Sequence, residues 1–139
     1  MAYASQQDLI IRYGERELVE LTDRAVPPAG VIDAAVVTRA LDDASAEIDS
    51  YLAARYGSVL GTASPVLRDA CEILARERLF DDRVTDAVKR DADRVRRWLH
   101  DVAAGIALIP DIGAGSPQPG PVTYRPGERL FTRDTMADF

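Results

Sequence analysis

Four acidic side chains, Asp42, Asp43, Glu47 and Asp49, crowd one short stretch of the chain and are the first candidates for chemistry. Carboxylates gathered like this could hold a hard divalent ion, but a calcium site normally draws its ligands from a turning loop that contains a glycine. These four sit instead in a run with helical apolar spacing. A solvated or pore-facing acidic surface is therefore the expected role. The candidate nucleophiles Ser45, Ser58 and Cys71 have no base signature beside them, and no G-x-S-x-G turn occurs. His100 is the single histidine, so a two-histidine metal site or a carboxylate-histidine di-iron bundle cannot be assembled within one chain. Its place near a helix end reads as a partly exposed ring that favours the helix dipole when protonated. Gly113-Ala114-Gly115 lacks both the preceding strand and the following G-K-[ST] of a phosphate loop. No catalytic residue, metal ligand or cofactor is expected.

One basic concentration exists: Lys89, Arg90, Arg94, Arg96 and Arg97. Asp86, Asp91, Asp93 and Asp101 are interleaved with it and neutralise it as a nucleic-acid stripe. The whole chain carries a formal charge of −6 and a pI near 4.7, a field that repels phosphate backbones. Sequence-specific DNA binding is disfavoured on both counts.

The elements that must position these residues follow from composition and period. With 139 residues, 47% hydrophobic and 29% charged, one globular domain with a tail is expected. The longest apolar run, Val102 to Ile109, is interrupted by Gly105 and falls far short of the roughly 20 residues that cross a bilayer. The first seven residues lack the basic start and apolar stretch of a secretory signal, so a cytoplasmic location is expected. Cys71 is the single cysteine, and with Ala70 and Ile73 beside it a buried, inert thiol in a helix is the simplest reading.

Ser5 followed by Asp8 resembles a capping box that opens a helix through Leu9, Ile10 and Tyr13, which Gly14 stops or kinks. Glu15 to Leu21 suggests a second short turn before the Pro27-Pro28-Ala29-Gly30 loop. Asp33 can cap a long amphipathic helix whose apolar stripe runs from Val36 to Tyr56, ahead of Gly57. Ser64-Pro65 signals the next helix, through Leu67, Ala70, Leu74 and Phe80. Asp81, Asp82 and Thr85 offer caps for a last one, with Val84, Val88, Ala92, Val95, Leu99 and Val102 on one stripe and Trp98 beside it. Asp86–Arg90 and Asp93–Arg97 have the stabilising i, i+4 order on its outer face. The spacing predicts an all-α fold, a small bundle of about four helices over residues 1–105.

From residue 106 onward the composition changes. The last 34 residues hold five of the eight prolines and four of the nine glycines, with no helical period. A Pro/Gly-rich arm is expected over 106–139. Yet Tyr124, Arg125, Arg129, Leu130, Phe131, Arg133, Met136 and Phe139 supply large apolar and cationic side chains that a bare linker does not need. They read as partner-binding anchors that order only against neighbouring subunits. A floppy terminus with scattered apolar residues is the plainer alternative.

Particular residues also carry a likeness to a known family. Tyr3-Ala4 with Gln7-Asp8-Leu9-Ile10 and Tyr13-Gly14, then Glu17-Leu18 and Leu21-Thr22-Asp23, resemble the start of the Mu-like prophage family of small head-tail connector proteins. Glu47-Ile48-Asp49-Ser50-Tyr51-Leu52, Arg55-Tyr56, the stretch from Pro65 through Cys71 to Leu79, and Arg129 to Met136 are similar to its middle and ending. The resemblance implies a non-catalytic helical adaptor of the virion, made in the host cytoplasm. It implies copies of the chain in a ring, a dodecamer, beneath the portal protein at the head-tail junction. The ring would extend the DNA channel and meet a tail-completion or tail terminator protein. An acidic wall suits that position, because packaged DNA must slide past without specific binding.

Two readings from other classes compete. A small helical DNA-binding regulator needs a recognition helix with an unopposed basic face, which the interleaved aspartates deny. A metal-dependent nuclease would work through Asp42, Asp43 and Glu47, and would reveal itself by divalent-dependent activity.

Overall fold

Five α-helices carry the fold in the computed structural model, which describes residues 2–57, 64–110 and 112: α1 (Gln6–Tyr13), α2 (Glu15–Thr22), α3 (Ala34–Tyr56), α4 (Pro65–Phe80) and α5 (Asp86–Ala104). A 3-10 turn over Asp81–Arg83 links the last two. The fold is an all-α bundle, with no strand among the described residues.

The caps show why the helices begin where they do. The Ser5 hydroxyl accepts the Asp8 N–H while the Asp8 carboxylate accepts the Ser5 N–H, a complete capping box for α1. Gly14, at φ 89° and ψ 149°, adopts backbone that other residues rarely enter. It therefore splits the first segment into two helices, and α2 is a full two-turn element rather than a short turn. Asp33 accepts N–H bonds from Ala35 and Val36 to open α3, and the Thr85 hydroxyl accepts from Val88 to open α5. Asp81 and Asp82 fall in the 3-10 turn instead of capping. Ser64 departs from expectation: it occupies the cap position of α4, but its buried hydroxyl makes no capping bond and has no partner among the described residues.

Helices α3, α4 and α5 form the centre. Arg96 of α5 meets Glu47 of α3, and Arg55 near the end of α3 lies against Gly105 just past α5, so these two helices run parallel, and both also pack on α4. The core is built from Val37, Leu41, Ile48, Leu52, Leu67, Leu74, Leu99 and Val102, all within 4% of full burial. Leu9 and Leu18 join it from α1 and α2. Cys71 is buried as expected, and burial pushes its thiol pKa up against the opposing effect of the Ser45 hydrogen bond.

Two local links were not legible in the sequence. Fully buried Thr22 donates to the Leu18 carbonyl and accepts the Asp33 N–H at 3.1 Å, tying the end of α2 to the start of α3. Past α5, the N–H of Gly105 bonds the Val102 carbonyl and that of Ile106 bonds Asp101, the paired bonds of a Schellman closure. The chain then continues along the body, burying Ile109 and packing Ala107 and Ile112 against the core. The packed body thus runs on past Gly105, where helical period alone placed its end.

Candidate assembly surface

The four acidic residues of α3 do not share one face. Asp42 and Asp43 are exposed. Glu47 is turned inward: its carboxylate accepts from Arg96 Nε at 2.6 Å and from Arg78 at 2.7 Å, and Arg96 also reaches Glu77 at 2.5 Å. Burial would raise the Glu47 pKa, but the Arg96 and Arg78 guanidiniums outweigh it and hold the carboxyl below its usual value. Asp49 accepts the phenol hydroxyl of Tyr3, and burial together with that bond drives the Tyr3 pKa up. Among the described residues no three His, Cys, Asp or Glu side chains converge as a metal-binding group.

Of the basic residues of α5 only Arg96 is used in the same internal way, while Lys89, Arg90 and Arg97 are exposed. Arg96 is held by Glu77 and Glu47, which raise its pKa. Arg94 pairs with Asp91, and Asp93 lies 3.7 Å from Arg96. These one-turn pairs and the cross-helix bonds stand where the spacing predicted Asp86–Arg90 and Asp93–Arg97. Ser45 is buried, donating to the Leu41 carbonyl and accepting the Tyr3 N–H, while the ring of His100 is 75% exposed beside Asp101.

A second ionic cluster, which pattern reading did not anticipate, pins α1 and α2 to α4. Arg12 donates to Asp69 and to the buried Glu72 at 2.8 Å, and these bonds offset the opposing effect of burial to keep the cation charged. Arg76 lies 4.3 Å from the Tyr13 ring centre and 5.5 Å from that of Phe80, while its Nε donates to Glu17 at 2.7 Å. These charged groups between helices are thus paired within the body, while Arg55 Nε, the Tyr56 hydroxyl and the Ser64 hydroxyl are buried without a partner among the described residues.

One face is only partly closed by such pairs. Where α1, α4 and α5 meet, a groove of about 470 Å³ is lined by Val66, Ile73, Val95 and Trp98, with Arg12 and Arg94 at its rim. It shares Arg12, Val66 and Asp69 with a neighbouring depression bordered by Ile11 and Pro65. Ile11 is 75% exposed and Trp98 is half-buried. The trough is thus of mixed character, with the Arg12–Asp69 pair beside partly exposed apolar side chains.

A sequence-family model described as Bacteriophage Mu, Gp36 matches residues 3–121. The chain belongs to that family. FluMu protein gp36, a Mu-like prophage protein of Haemophilus influenzae, is 40% identical over 103 residues, covering 74% of this chain and 72% of its own length. Gene product J of Escherichia phage Mu is 37% identical over 105 residues, covering 76% and 74%. This Gp36-family chain is a Mu-like phage protein, and none of its described helices is long and apolar enough to cross a membrane.

The family match includes the helical body and stops before Tyr124. Tyr124, Arg125, Arg129, Leu130, Phe131, Arg133, Met136 and Phe139 lie outside the described residues, as do Ser58 and the Gly113-Ala114-Gly115 stretch.

Proposed function

We propose that this Gp36-family protein is a non-catalytic head-tail connector: copies of the chain form a ring under the portal protein, extend the DNA channel and offer a seat for tail completion. The observation that carries the reading is the division of labour along the chain. A helical body with its interhelical charges paired internally precedes a segment, 113–139, whose sequence concentrates large apolar anchors among prolines and glycines. A rigid block with an adhesive arm is what subunits need in order to lock onto one another, and many weak arm contacts gain strength from ring geometry. The net charge of −6 suits a conduit wall that leaves passing DNA unbound. Membership in a phage family supports a virion location at the head-tail junction.

Among the α5 cations Arg94 and Arg96 are paired with carboxylates while Lys89, Arg90 and Arg97 stay exposed among Asp86, Asp91, Asp93 and Asp101, a mixed face that suits a DNA-binding regulator poorly, and Glu47 held between two arginines is a poor metal ligand for the nuclease.

The test is complementation. Cells making the phage without this chain should accumulate filled heads and separate tails, and added full-length protein should join them. Normal joining in its absence would contradict the proposal.

A further inference from the structure

Most of the buried apolar side chains belong to α3, α4 and α5, whereas residues 2–22 contribute Ala4, Leu9 and Leu18. Helices α1 and α2 have eight residues each, below the roughly 12–15 at which an isolated helix begins to hold in water, so both depend on being docked. A large share of that docking is polar. Arg12 donates to Asp69 and to buried Glu72, Glu17 accepts from Arg76, and the Tyr3 hydroxyl donates to Asp49. The turn at Gly14 keeps the two helices together, with the Gly14 N–H on the Ile10 carbonyl and the Leu18 N–H on the Gly14 carbonyl. At the end of α2 the Thr22 hydroxyl accepts the Asp33 N–H, a pin at the junction with α3 rather than across the body.

Beneath the other end of this segment lies the single cysteine. Ser45 Oγ accepts the Tyr3 N–H at 3.1 Å and lies 3.4 Å from Cys71 Sγ, which also faces the backbone of Tyr3 and Ala4. Ala4 is itself buried, so residues 3–4 close over the thiol where it sits between α3 and α4. A reagent that reaches Cys71 while the body is folded has to displace them.

We propose that residues 2–22 form a latch: they lift from α3 and α4 as one unit, hinged over 23–33, while the α3–α5 body stays folded. Sub-global opening is favoured where a unit has few buried apolar contacts and is held by groups that water can satisfy in their place. Opening bares Cys71 and Ser45 together with the surface of α3 and α4 that Leu9 and Leu18 cover. The device lets the protein present or withhold that surface without unfolding its body. It needs no partner and stands independently of the connector reading.

The experiment follows Cys71 labelling by dithionitrobenzoate in the full-length chain under native conditions. Arg12→Ala leaves buried Glu72 unpaired in the closed state and should raise the labelling rate about tenfold. Glu47→Ala is the counter-variant. Its carboxylate joins α3 to α4 and α5, so it weakens the body and should leave the labelling rate within about twofold of the parent. Hydrogen exchange read by mass spectrometry should show α1 and α2 opening together, ahead of α4 and α5, with the same acceleration by Arg12→Ala. Where Arg12→Ala lowers the yield of folded chain, Glu17→Gln at the pair with Arg76 replaces it, with a smaller increase in the same direction. Acceleration by Glu47→Ala equal to that by Arg12→Ala would mean that the thiol is reached through global unfolding. Acceleration by neither would mean that fraying of the first few residues alone exposes it. Either result overturns the latch, and neither touches the connector reading, which fails separately if head-tail joining proceeds without the chain.

Discussion

Two faces of the same helix pair are finished differently. Toward α3, helices α4 and α5 are joined by carboxylates and guanidiniums that satisfy one another, Glu47 with Arg78 and Arg96, and Arg96 with Glu77. Toward α1, Arg12 pairs with Asp69 and Glu72 of α4, and beside that pair Val66, Ile73 and Trp98 keep part of their surface exposed. Adjacent residues mark the boundary, since Leu99 is fully buried and Trp98, packed beside the core, keeps part of its surface exposed. A paired, partly buried charge network serves the fold of a single chain, whereas a partly exposed apolar patch leaves area for a neighbour to bury.

The largest expected effect separates these neighbours. Leu99→Ala should lower the unfolding free energy by about 3–4 kcal/mol, the range for emptying a fully buried leucine site, as read by urea denaturation. Trp98→Ala should cost less, about 2–3 kcal/mol, because the ring packs against the core but keeps part of its surface in water. Equal losses would dissolve the distinction between the two sides of α5.

Below those values lies the ionic face. Glu47→Ala strands Arg96 and Arg78 with only part of their former pairing and should cost about 2 kcal/mol, less than a fully buried pair because both arginines are about one-third exposed. The same carboxyl predicts an acid limb. Its folded pKa is depressed, so its contribution is present above the ordinary glutamate value and is lost as pH falls through the lower folded value. Thermal melts should show stability declining below about pH 4.5, and Glu47→Gln should flatten that decline. The smallest effect is at the α5 end: Gly105→Ala meets a φ of 82° and the Arg55 guanidinium, and should cost about 1 kcal/mol by calorimetry.

The helices themselves were legible because each announces itself locally. Ser5 with Asp8, Asp33, Pro65 and Thr85 mark starts, Gly14, Gly57 and Gly105 mark ends, and the apolar period names Leu67, Leu74, Leu99 and Val102 as buried. What neighbours meet across helices was not. Asp42, Asp43, Glu47 and Asp49 read as one acidic run, yet at about 100° per residue they point around the helix, and only packing decides that Glu47 meets two arginines. The period could have separated them. Arg12 with Glu72 and Arg76 on Tyr13 join residues about sixty positions apart, beyond any local pattern. Ile109 was missed for another reason: it is buried by a non-helical segment that carries no period to read.

The account turns on where the chain sits in the particle. A reconstruction of the head-tail junction from purified particles, without imposed identity, tests this most directly. The account predicts a closed ring of five-helix bodies against the portal. Density for this bundle elsewhere in the particle, or a junction lacking it while heads and tails are joined, would contradict it.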